Sequence, residues 1–175
     1  VISLCANDTA YSSPVTCGAI VSYEAPNAVD NCGVDSVYTL GSIPPSPSFF
    51  AVGDHNIDWI VVDDWGNSTT CTQTITILDT IGPFLICPSD TVLCDSVFHY
   101  PEPIYSDSCG IRSLTTSIGS TILPNNSVYT FPVGVTGLKY TVLDLDSNMN
   151  SCVFNIEVLP PIFPHWDTLP SQLCL

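Results

Sequence analysis

Residues 17–33, CGAIVSYEAPNAVDNCG, lie without gaps over residues 94–110, CDSVFHYPEPIYSDSCG, with Cys, Tyr, Pro, Asp, Cys and Gly matching in place. Residues 49–78, FFAVGDHNIDWIVVDDWGNSTTCTQTITIL, lie in the same way over residues 130–159, TFPVGVTGLKYTVLDLDSNMNSCVFNIEVL. The stretch between the blocks is four residues longer in the second copy, which marks it as a loop. Internal repetition of this kind means two copies of one folding unit, each with an apolar face to bury. The expected units are 1–81 and 82–160, joined by DTIGP (residues 79–83), too short a linker to let them move freely apart. Residues 161–175 remain as a tail.

Both copies read as β-structure. Ala19, Val21 and Tyr23 alternate with Gly18, Ile20 and Ser22; Ile57, Trp59 and Val61 alternate with Asp58, Ile60 and Val62. The second copy repeats the inward set as Ser96, Phe98 and Tyr100, then Leu138, Tyr140 and Val142. Polar turns, DDWGNSTT and DLDSNMNS, lead into the closing strands CTQTITIL and CVFNIEVL. The 15 prolines argue against helices. Short strands with regular turn signals predict an all-β fold of two tandem antiparallel β-sandwiches forming a short rod, with a C-terminal extended strand.

Composition narrows the function. Nine cysteines in 175 residues point to disulfides and an oxidising, extracellular setting. Seventeen acidic residues against Lys139 and Arg112 give a net charge of −15, so nucleic acid and anionic membrane surfaces are repelled. No apolar run approaches the ~20 residues of a membrane-spanning helix, so membrane insertion is not expected. A chain that opens at Val1, without a signal-like leader, is expected to be a piece of a longer precursor. His55, His99 and His165 are scattered, with no nucleophile elbow, paired-His motif or glycine-rich loop, so the chain is expected not to be an enzyme. Trp59 aligns with Tyr140 on the inward face, which leaves Trp65, in a turn, as the candidate sugar or partner contact.

The run VDNCG, then VG at Val52-Gly53, then DDWGNSTTC (residues 63–71) resembles the HYR (hyalin repeat) family. The resemblance covers nearly all of residues 1–160, twice, more closely in the first copy. The second departs at Ser108, where the family favours Asn, and at Ser147, where it favours Gly. The resemblance implies an immunoglobulin-like module of extracellular and cell-surface proteins, with an adhesive or structural role rather than a catalytic one.

Spacing gives an expectation for the cysteines. Cys17 and Cys32 stand at opposite ends of a strand and its turn, and seven strand residues already span about 23 Å, beyond disulfide reach. The predicted pairs are Cys5 with Cys17, Cys32 with Cys71, Cys87 with Cys94, and Cys109 with Cys152. The absence of a CxxC pair or a suitably spaced His argues against zinc. Cys174 is left free, or bonded outside the segment.

Asp30, Asp63, Asp64 and Asn67 in the first copy, and Asp107, Asp144, Asp146 and Asn148 in the second, gather oxygens on two loops expected at one end of each sandwich. Two readings stand: a calcium site, or side chains that brace their own turns, the stronger of the two. No other cofactor is expected. Asn7, Asn67 and Asn125 open glycosylation sequons in predicted loops. In the tail, FPHWDT falls where LCANDT and ICPSDT open the two copies, so the tail reads as the start of a third repeat. Its residues Ile162, Phe163, Trp166 and Leu169 are the candidate assembly contacts, since an orphan strand can add to an open sheet edge of a neighbour. The expected partners are copies of the chain joined head to tail, or further repeats of the same chain, with glycans as further candidates; the alternative is a carbohydrate- or protein-binding module of a larger secreted or cell-surface protein or enzyme.

Overall fold

The structure is a computed structural model and describes residues 2–161. The expectations placed on Ile162, Phe163, Trp166, Leu169 and Cys174 lie outside the described residues. The chain divides into two compact units, Val1–Ile81 and Gly82–Leu175, and the described residues contain β-strands and no helix.

The first unit runs β1 (Ile2–Leu4), β2 (Asp8–Tyr11), β3 (Gly18–Val21), β4 (Asn27–Val29), β5 (Val34–Thr39), β6 (Ser48–Ala51), β7 (Gly53–Asp63) and β8 (Ser68–Leu78). One sheet has the order β2-β8-β7-β5, and β3 pairs with β6 and β1 with β4 outside it. Its centre is the long hairpin β7–β8, in register from Gly53 opposite Ile77 to Val62 opposite Ser68. Period-two alternation sends Ile57, Trp59, Val61, Ile75 and Ile77 inward, all buried. Val21 and Phe50, from the β3–β6 ribbon, close over Ile57, Trp59, Ile75 and Ile77 to form one core, so the ribbon and the four-stranded sheet are the two layers of a sandwich. Each of these side chains contributes about 2 kcal/mol by leaving water. Trp59 satisfies its indole by donating to Gln73 Oε1 at 3.1 Å.

The second unit runs β9 (Phe84–Ile86), β10 (Thr91–Leu93), β11 (Val97–His99), β12 (Ile104–Ser106), β13 (Ile111–Ile118), β14 (Thr121–Leu123), β15 (Val128–Thr130), β16 (Gly134–Asp144) and β17 (Met149–Val158). Its larger sheet has the order β10-β17-β16-β13-β14, beside the ribbons β11–β15 and β9–β12. Tyr100 and Phe131 pack on Leu138, Tyr140, Phe154, Ile156 and Val158. Tyr140 stacks on Phe154 with ring centroids 5.8 Å apart, and Tyr100 meets Phe131 edge-on.

One element departs from a wholly antiparallel sandwich. The opening strand of each unit is split: β1 pairs antiparallel with β4, and after a short crossover β2 pairs parallel with β8. The second unit repeats this with β9 on β12 and β10 on β17. Polar side chains pin the parallel strand: Asn7 Oδ1 accepts the Thr74 N–H at 2.9 Å, and Asp90 Oδ1 accepts the Asn155 N–H at 2.7 Å.

Candidate functional site: the braced turns and the disulfide frame

Asp63 ends β7 buried beneath the turn that it organises. Its Oδ1 accepts the backbone N–H groups of Trp65 at 2.9 Å and Asn67 at 2.8 Å, and its Oδ2 accepts Asn67 Nδ2 at 2.8 Å. The Asn67 side-chain hydrogen bond is the main reason that the Asp63 carboxyl sits below the ordinary aspartate value of 3.8, with the backbone bonds adding to it against the opposing effect of burial. Gly66, at φ +82°, supplies the left-handed residue that the turn requires.

The second unit builds the same turn on Asp144, whose Oδ1 and Oδ2 accept the Asn148 N–H and Nδ2 at 2.8 and 2.9 Å. Ser147 stands where Gly66 would be and adopts φ +75°. Arg112 holds it there, donating from Nη1 to Ser147 Oγ at 2.8 Å and from Nη2 to the Leu145 carbonyl. Nothing in the local sequence pattern signals this role, because Arg112 lies 35 residues from Ser147 and its counterpart in the first copy is Asp35.

The neighbouring turn is an Asx turn in both copies: Asp30 Oδ1 accepts the Cys32 N–H at 2.8 Å, and Asp107 Oδ1 accepts the Cys109 N–H at 2.7 Å. Pairing of Val34 with Asp63, and of Ile111 with Asp144, brings the two turns of each unit to one end of its sheet. Gly33, at φ +103°, lets Asp64 approach so closely that a Cβ there would stand 2.2 Å from Asp64 Oδ2. Asp64 and Asp146 are themselves exposed. The carboxylates of Asp63 and Asp144 are thus occupied by amides of their own turns.

The disulfides correct the pairing expected from spacing. Cys5 bonds Cys71 and Cys87 bonds Cys152, each with Cα atoms 5.8 Å apart, so the pairs Cys5 with Cys17, Cys32 with Cys71, Cys87 with Cys94 and Cys109 with Cys152 do not form. The cause is the split opening strand. Its crossover at Cys5 carries that residue from the β1 sheet to the flank of β8, and Cys87 makes the same move onto β17. Cys71 in turn lies opposite Trp59, four positions along β7 from Asp63 and so roughly 13 Å from the turn that holds Cys32. Cys32 is exposed and free, which corrects its assignment to a bridge; Cys17, Cys94 and Cys109 are disulfide-bonded.

The sequons differ in what their amides do. Asn67 Nδ2 is held by Asp63, and Asn125 donates Nδ2 to the Leu114 carbonyl at 3.0 Å while its Oδ1 accepts Thr116 Oγ1 at 2.6 Å. Asn7 uses its Oδ1 on β8 and is exposed. Trp65 is 79% exposed, whereas Trp59 is core. Of the histidines, His55 contacts the Ala51 carbonyl through Nε2 at 2.8 Å, and His99 is exposed on β11.

Comparison with known proteins follows this division into units. A family model described as the HYR domain matches residues 2–77 and again 79–158. Hyalin from Strongylocentrotus purpuratus is 31% identical over 168 residues, covering 90% of this chain and 13% of that protein. The sushi, von Willebrand factor type A, EGF and pentraxin domain-containing protein 1 of Mus musculus is 30% identical over 146 residues, covering 80% of this chain and 4% of its own length. The chain thus spans only a small part of these relatives. Among solved structures, the fibronectin(III)-like modules of Clostridium thermocellum CbhA align over 92% of this chain and 96% of theirs, with a TM-score of 0.41 and 15% identity. With the family model matched across nearly the whole chain, in two consecutive copies, the chain belongs to the HYR domain family.

Proposed function

We propose that this segment is a non-catalytic structural or adhesive module of an extracellular protein, and that its copies join head to tail through the residues after Pro161. The observation that carries the reading is the repetition of one disulfide-closed sandwich whose buried carboxylates, Asp63 and Asp144, are taken up by their own turns. Buried polar groups committed in this way stabilise a fold rather than serve acid–base chemistry. The disulfides fit an oxidising compartment, and hyalin and the sushi-domain protein supply relatives built on a larger scale. The test is concentration-dependent assembly, followed by electron microscopy and sedimentation. Filaments formed by residues 1–175 and lost on removal of residues 162–175 support the head-to-tail contact; monomers throughout refute it.

The same hydrogen bonds support turn bracing over a calcium site. Melting curves in millimolar calcium and in a chelator are expected to coincide, and a rise of several degrees with calcium would restore the metal reading. A second function is favoured by Trp65, whose 79% exposure in a turn gives a ring on which a sugar or a partner protein can stack. Glycan binding that disappears in Trp65→Ala, without loss of stability, would establish the segment as a binding module.

A further inference from the structure

The two units treat the same sheet edge differently. In the second, β13 pairs with β16 on one side and with β14 on the other, where Thr116, Ser117 and Ile118 lie opposite Leu123, Ile122 and Thr121. In the first, β5 pairs with β7, and among the described residues no strand covers its other side. The sequence explains the difference. After a shared Gly-Ser, the second copy continues Thr121-Ile122-Leu123 and the first continues Ile43-Pro44-Pro45. Proline has no N–H to give a ladder, so the covering strand cannot form. Ile43 turns instead onto the core, and the Pro44 carbonyl accepts the Tyr23 hydroxyl.

The groups left open can be assigned. Leu40 donates its N–H to the Asp58 carbonyl at 2.8 Å, on the β7 side. Because such groups alternate along an antiparallel strand, Val37 and Thr39 present their N–H and C=O groups to the open side. Beside them Tyr38 is 49% exposed and Leu40 63% exposed. Residues 36–40 carry no charge, in a chain whose net charge is −15. Copies of so acidic a chain repel each other over most approaches, whereas this edge can meet its own image without placing carboxylate against carboxylate.

We propose that β5 of the first unit is a self-association site, pairing antiparallel with β5 of a second copy about a two-fold axis normal to the sheet. Each copy's Val37 and Thr39 then complete their hydrogen bonds on the other, and Tyr38 packs across the axis on the outer face. The four-stranded sheet becomes one continuous sheet through two copies. This contact goes beyond the head-to-tail contact proposed above and uses different residues.

Sedimentation of the 175-residue chain over a wide concentration range tests it, with Thr39→Pro removing an outward donor and Tyr38→Lys placing a like charge on both sides of the axis. The expected result is a dimerisation step, separate from any filament growth, that each variant weakens at least about tenfold, with far-ultraviolet circular dichroism unchanged to show that the fold is kept. A chain lacking residues 162–175 is expected to dimerise as the whole chain does, so failure of the head-to-tail reading leaves this one standing. A monomeric parent chain, or variants that dimerise as it does, would overturn the proposal. Loss of the dimer on removing residues 162–175 would overturn it in favour of the tail as the occupant.

Discussion

At the scale of single residues, the acidic and amide side chains of the turns act as backbone substitutes. Asp63 supplies acceptors to N–H groups that a tight turn would otherwise leave unpaired, and Asn67 locks the carboxylate in place. Because the folded Asp63 carboxyl lies below its ordinary value of 3.8, its contribution to stability is full above that value and is lost as the pH falls through the folded one. Asn67→Ala removes the largest cause of the shift. Its deficit against the parent protein, measured by denaturant titration, is expected to be full at pH 6 and to shrink as the pH falls below 3.8; a deficit independent of pH would mean that Asn67 acts through something other than Asp63. Gly33 sits under a different constraint: its positive φ disfavours any side chain, whereas the exposed Asp64 carboxylate beside it can swing aside. Gly33→Ala is expected to cost about 2 kcal/mol, read as a lower denaturation midpoint, with Asp64→Ala in the same chain recovering little of it because the cost lies in the backbone.

At the scale of elements, the sequence shows the faces of strands more clearly than their neighbours. Ile57, Trp59 and Val61 alternate with more exposed residues because one face of β7 is buried, and that alternation needs no knowledge of the rest of the chain. The disulfides illustrate the opposite case. Whether Cys5 reaches Cys71 depends on the opening strand leaving one sheet for the other between Leu4 and Asp8, and no local pattern around Leu4-Cys5-Ala6 records the crossover. The absent cover on β5 lies between these cases. Pro44 and Pro45 rule out a ladder in the sequence itself, but their consequence becomes visible only beside Thr121–Leu123 in the second unit. The Cys5–Cys71 bridge closes a separation of 66 residues. Replacing both cysteines with alanine is expected to cost the first unit roughly 4 kcal/mol by releasing its unfolded chain, and to leave hydrogen-exchange protection in the second unit as it was. A loss shared equally by the two units would show that they unfold as one.

At the scale of the whole molecule, the repeat gives an internal comparison that few chains offer. Tyr140 and Trp59 occupy the same place in β16 and β7, and both are buried, but only the tyrosine ionises. Burial pushes the Tyr140 hydroxyl from the ordinary 10.0 up to about 12, with Tyr100 and Glu102 nearby adding to the rise. The hydroxyl is also held in the folded state, donating to the Pro101 carbonyl. A raised folded value sets the sign: stability is intact below pH 10, where tyrosine is protonated both folded and unfolded. It falls as the pH climbs toward 12, where the unfolded chain ionises and the folded one resists. Each pH unit of difference is worth about 1.4 kcal/mol, so the second unit is expected to lose on the order of 2 to 3 kcal/mol across that window. The first unit has a tryptophan at this position and lacks that loss. Calorimetry at pH 9 and pH 11, on a Cys32→Ser background that removes the exposed thiol from disulfide exchange, is expected to show the second unit's transition moving down with alkali more than the first. Tyr140→Phe should be less stable than the parent at pH 9, since it forfeits the bond to Pro101, yet should respond less steeply to alkali. An equal downward shift of both transitions, or a Tyr140→Phe variant as alkali-sensitive as its parent, would remove Tyr140 as the cause.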